Sequence, residues 1–126
     1  MSSVIPVVVE RIEDRGGAEG EEGIWRVVPQ GRLDARTVSA LESALESALS
    51  QSPRLVVDMS EVPYISSGGL RALMAARRRA RAQGGDLRLC GLNERVEEIF
   101  DLIGFAALFP IFGSLEEAVE SFRQEG

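Results

Sequence analysis

The stretch Leu55-Val56-Val57-Asp58-Met59-Ser60-Glu61-Val62-Pro63-Tyr64-Ile65-Ser66-Ser67-Gly68-Gly69-Leu70-Arg71-Ala72-Leu73 reads as a buried strand, a turn and the start of a helix. A continuous apolar run that closes on Asp58, without polar alternation, suits a strand in the middle of a sheet covered on both faces by helices. Tyr64 and Ile65 form a second apolar pair and carry the chain to two serines and two glycines. Ser66 or Ser67 can cap a helix whose first apolar residues are Leu70, Leu73 and Met74, because a serine oxygen accepts from first-turn amides that have no helical partner. Those amides and the helix dipole favour an anion. A phosphate esterified to Ser67 would be tolerated there, and would add about 1.5–2 negative charges to whatever surface surrounds it.

Upstream, Val7, Val8, Val9 and Ile12 make a β-branched strand with Pro6 near its start, which predicts a sheet edge. Residues 13–23 are acidic, glycine-rich and without apolar anchors, and read as a mobile hairpin loop. They lack the oxygen spacing and closing glutamate of a calcium loop. Ile24 to Gly31 is the hairpin's second strand. In Gly31-Arg32-Leu33-Asp34-Ala35-Arg36-Thr37 the glycine makes a turn, and Asp34 or Thr37 can cap the next helix. That helix, Thr37 to Gln51, sets Leu41, Leu45 and Leu49 four apart on one face, and Ser52-Pro53 stops it.

Downstream, the helix that begins at the serines runs to about Gln83, with Leu70, Leu73 and Met74 inward. Arg71, Arg77, Arg78, Arg79 and Arg81 have no acid among them, and make either a solvated face or a groove for an acidic partner. Gly84-Gly85 ends the helix. Asp86 to Cys90 alternates Leu87 and Leu89 against Arg88 as a short strand. Asn93 caps a helix that points Val96, Ile99, Phe100 and Ile103 into the core. After Gly104, Phe105 to Ile111 is apolar, with Pro110 marking an edge, and Gly113-Ser114 starts a last helix with Leu115, Ala118, Val119 and Phe122 on one face. Strands and helices alternating after an opening hairpin predict an α/β fold: one domain over 1–126, a mixed sheet of about five strands, and about four helices.

Composition narrows the chemistry. The net charge of −6 argues against nucleic acid or an anionic membrane as the general partner. All 14 basic residues are arginine. No run is long and apolar enough to span a bilayer and no secretory leader is visible, so direct membrane insertion is not expected. A single cysteine, Cys90, fits a reducing compartment, and the expected location is cytoplasmic. With no histidine there is no Ser-His-Asp triad and none of the usual zinc sites, and with no lysine there is no P-loop. The reading is a non-enzymatic protein without metal or cofactor.

Asp58-Met59-Ser60-x-Val62-x-Tyr64-Ile65-Ser66-Ser67-Gly68-Gly69-Leu70 resembles the signature of STAS domains, specifically bacterial anti-sigma-factor antagonists. Gly31-Arg32-Leu33-Asp34 resembles the Gly-x-Leu-Asp turn of the same family, which lies near the phosphorylation loop. Ser66 stands where many of these antagonists carry an acidic residue. The resemblance implies that the unphosphorylated protein binds an anti-sigma factor, itself a serine kinase, and so releases a sigma factor. It further implies that the kinase modifies Ser67, with Ser66 the secondary candidate, and that a phosphoserine phosphatase reverses the modification. The implied partner surface comprises Arg32, Asp34, Ser66, Ser67, Gly68, Gly69 and Arg71. The alternative within the same family is a cytoplasmic STAS subunit of a lipid or anion transport system, where the surface would be a constitutive docking module.

Overall fold

The computed structural model describes residues 5–12 and 23–125. In chain order the elements are β1 (Val7–Ile12), β2 (Ile24–Pro29), α1 (Val38–Gln51), β3 (Arg54–Asp58), α2 (Ser67–Ala82), β4 (Asp86–Cys90), α3 (Glu94–Leu102), a short 3-10 helix (Phe105–Leu108), β5 (Ile111–Phe112) and α4 (Leu115–Arg123). The strands form one sheet in the order β1-β2-β3-β4-β5. β1 pairs antiparallel with β2, and the remaining pairings are parallel. The expected α/β fold, with its opening hairpin and mixed sheet, is therefore the observed one, and β1 and β5 are its edges. The acidic loop expected over 13–23 lies, apart from Gly23, outside the described residues.

The sheet is covered on both faces. Leu41, Ala44, Leu45, Ala48 and Leu49 of α1 are buried, as their spacing predicts, beside Leu70, Leu73, Ala76 and Ala80 of α2. They share the larger core with Leu55, Val57, Leu87, Leu89, Val96 and Phe100. On the opposite face Ala118, Val119 and Phe122 of α4 pack on Ile24, Val56 and Cys90. Leu55, Val56 and Val57 are therefore wholly buried, which is why β3 carries no polar alternation. α2 ends where Gly84 takes φ 89° and the Gly85 amide donates to Ala80 O at 2.9 Å.

Two expectations, for Ile103 and Arg77, need correction, and Arg88 takes a place that alternation alone does not foresee. Ile103 does not enter the core; α3 stops at Leu102, and Ile103 follows as its C-cap with its side chain exposed. Arg88 does lie on the face opposite Leu87 and Leu89, but that face is closed by α4, so Arg88 is buried. Its guanidinium pairs with Asp86 at 3.1 Å and with Glu125, donates to Ser121 Oγ at 2.9 Å, and lies 4.1 Å from the Phe122 ring centroid. Arg77 is likewise no solvated charge: Nε donates to Asp86 Oδ1 at 2.8 Å and a terminal nitrogen to Leu108 O at 2.8 Å.

Candidate functional site

Two loops at one end of the sheet are stitched together by backbone. The Leu33 amide donates to Tyr64 O at 2.9 Å and the Ser66 amide to Leu33 O at 2.8 Å, an isolated parallel bridge between Leu33 and Ile65. Both side chains are buried. The Gly-x-Leu-Asp turn and the double serine, 32 positions apart in sequence from Leu33 to Ile65, thus share one surface. Gly69 makes the approach possible: a Cβ there would stand 2.7 Å from Ile65 Cγ1 and 3.4 Å from Leu33 Cβ.

The first loop is folded around Asp34. Its Oδ1 accepts from the Arg36 amide at 3.0 Å, and Oδ2 receives Arg32 Nε at 3.3 Å. Thr37 sits at the cap position of α1 but makes no cap hydrogen bond, because its hydroxyl is turned back to donate to Arg32 O at 2.7 Å and to accept from the Asp34 amide at 3.0 Å. The Arg32 guanidinium lies 4.3 Å from the Tyr64 ring centroid, so a cation–π contact joins the loops a second time. The Arg36 amide, more than the Arg32 side chain, holds the Asp34 carboxyl below its usual range. A depressed pKa means the contribution of this turn to stability is present above the unfolded carboxylate value and is lost as pH falls through the lower folded value. In an NMR titration the Arg36 amide should therefore shift below the ordinary aspartate midpoint, and in Asp34→Asn that shift should vanish.

The second loop opens α2. Ser66 occupies the N-cap position with extended backbone, yet neither of the expected serine caps forms there: the Ser66 hydroxyl is buried without a hydrogen-bond partner. No acidic residue lies in the first turn. The amides of Ser67, Gly68 and Gly69 precede the first helical acceptor, so the positive end of a 16-residue helix is left without a side-chain cap. The Ser67 side chain is exposed, and Arg71 is exposed one turn further along. Arg32, Asp34, Ser67 and Gly68 thus meet at the surface around the bridge, with Arg71 continuing it along α2, whereas Gly69 and the Ser66 hydroxyl are buried beneath it.

Sequence reasoning missed two supports. Tyr64 enters the sequence reading as an apolar residue of the serine motif, and its contact with Arg32 is not foreseen there. Asn93 was read only as a cap; its Oδ1 does accept from the Val96 amide at 2.9 Å, while its Nδ2 donates to Val62 O at 2.7 Å and steadies the approach to the serines. The signal available for Tyr64 was its place two residues before the serines, matched by an arginine in the companion turn. Cys90 is buried, and burial more than the nearby Asp58 charge pushes its thiol up to about 12, so it is no nucleophile. Among the described residues no cluster of three or more His, Cys, Asp or Glu could hold a metal ion, and no helix is long and apolar enough to cross a membrane.

The family model for the STAS domain matches residues 17–118. The chain is 35% identical over 103 residues to BtrV of Bordetella bronchiseptica, described as a candidate anti-sigma factor antagonist, covering 81% of this chain and 89% of that one. It is 28% identical to the anti-sigma-B factor antagonist of Bacillus subtilis, covering 71% of this chain and 83% of the relative. Among solved structures, an anti-sigma factor antagonist from Mycobacterium paratuberculosis superposes with a TM-score of 0.75 at 24% identity, covering 94% of this chain and 95% of that one. With its five-stranded mixed sheet and the two joined motifs, this chain belongs to the STAS-domain family.

Proposed function

We propose that the chain is an anti-sigma factor antagonist whose docking is switched by phosphate at Ser67. Unphosphorylated, it binds an anti-sigma factor through Arg32, Asp34, Ser67, Gly68 and Arg71, with Ser66 and the buried Gly69 shaping that surface from beneath, and the sigma factor is released. The anti-sigma factor's serine kinase activity modifies Ser67, and a phosphoserine phosphatase restores the docking state. The protein acts by binding and not by turnover.

The observation that carries this reading is the exposed Ser67 at an uncapped helix start, against the Asp34 turn. A kinase can reach it, and the uncapped amides tolerate the added anion, so the phosphate changes the surface without unfolding it. The names of the two relatives quoted above support the partner class. Titration calorimetry with an anti-sigma factor kinase should show Ser67→Ala binding as wild type, and Ser67→Asp binding about tenfold or more weaker through charge at the contact. Equal affinities for the two variants would refute the switch.

A further inference from the structure

We infer that the groove between the C-terminal half of α2 and the Phe105–Leu108 turn docks an acidic peptide segment of a partner protein, anchored by one apolar side chain. Its first support is charge. The chain carries −6 overall, yet α2 holds five of its 14 arginines and none of its 20 acidic residues. Arg77 is consumed by Asp86 and by Leu108 O, and through the second bond it ties the 3-10 turn to the helix, so the groove is already formed. Arg81 reaches Asp86 only at 3.8 Å, with a side chain 60% exposed. Arg78 is exposed and makes no ion pair among the described residues.

The second support is the floor. Met74, Leu108 and Phe109 line a cavity of about 200 Å³ rimmed by Arg77, Arg78 and Arg81, and Leu108 is 44% exposed at its mouth. An apolar slot flanked by guanidinium groups matches a leucine or phenylalanine flanked by carboxylates. A nucleic acid would satisfy the arginines but not the slot, and would meet a negatively charged molecule around it. Guanidinium pairs at a rim contribute little alone, so affinity rests on the anchor, and the charges select its flanks.

This site goes beyond the Ser67 surface. At 1.5 Å per residue Arg78 lies about 16 Å along the helix from Ser67, roughly twice the Debye length of about 8 Å at physiological salt, so the groove is insensitive to charge at Ser67. The test is an NMR titration of the 15N-labelled chain with a short synthetic peptide of aspartates and glutamates around a central leucine. Amide shifts should be confined to Met74–Arg81 and Leu108–Phe109, and Arg78→Glu should weaken binding about tenfold, while Ser67→Asp leaves it unchanged. The proposal is overturned by an absence of shifts, by shifts elsewhere, or by undiminished binding in Arg78→Glu. It is overturned equally by equal binding of a serine-centred peptide, by tighter binding of a single-stranded oligonucleotide, or by loss of binding in Ser67→Asp. Failure here leaves the calorimetric test of Ser67 standing, and the reverse holds as well.

Discussion

Asp86→Ala should lower the unfolding free energy by about 3–5 kcal/mol, the range for removing one partner of a buried charge pair. Asp86 is 4% exposed and serves four donors: Arg77 Nε at 2.8 Å, Arg88 Nε at 3.1 Å, its neighbour's Leu87 amide at 2.8 Å and, loosely, Arg81. Without it Arg88, itself 7% exposed, keeps its charge under α4 and loses the carboxylate most enclosed with it. Glu125 pairs with the same guanidinium but its side chain is 61% exposed, so Glu125→Ala should cost under about 1 kcal/mol. For a domain whose total stability is of order 5–15 kcal/mol, the first substitution removes a large part and the second almost none. Urea denaturation decides it: the midpoint should fall sharply for Asp86→Ala at unchanged slope, and a loss below about 1 kcal/mol would show that Arg88 is adequately held by Glu125 and Ser121.

Gly69→Ala and Gly68→Ala should differ in sign although the residues are neighbours. The Cβ added at Gly69 meets Ile65 Cγ1 at 2.7 Å, and Ile65 is 1% exposed, so it has nowhere to retreat without pulling on Leu33. Overpacking of this kind costs about 1–3 kcal/mol, and here the strain falls on the bridge that joins the two loops. At Gly68 the added Cβ meets only Ser66 Oγ at 3.7 Å, an ordinary contact. Relief of glycine's backbone entropy in a helix then leaves Gly68→Ala neutral or stabilising by up to about 1 kcal/mol. Denaturation curves for the pair, with the chemical shifts of Leu33 and Ser66 as a local readout, would expose an error if Gly69→Ala proved as stable as Gly68→Ala.

Much of this is legible in the amino-acid sequence. Periodicity and punctuation place the first three α-helices to within a residue or two and mark the start of the last, though not the 3-10 turn Phe105–Leu108, and the unbroken apolar run of Leu55–Val57 announces a strand with helices on both faces. What periodicity could not register was which charges the fold would enclose. Arg77 and Arg88 look like surface residues in a polar pattern, and only the arrival of α4 and the 3-10 turn, distant in sequence, encloses them with Asp86. The serine caps failed for a related reason. A serine before an apolar helix is a good capping residue, but here its amide is already committed to Leu33 and its hydroxyl is packed away from the helix amides. The two motifs were found separately; that they would touch followed from the resemblance, whereas Tyr64 and Asn93 as their struts did not.

The bridge from Leu33 to Ile65 means that the proposed docking surface is a property of the finished molecule. A nascent or heat-damaged chain offers each half alone, with Asp34 and Ser67 drifting independently at the ends of a long tether. Any partner that must grip both halves therefore inspects the chain's integrity as it binds, and misfolded copies cannot compete for it, however many accumulate.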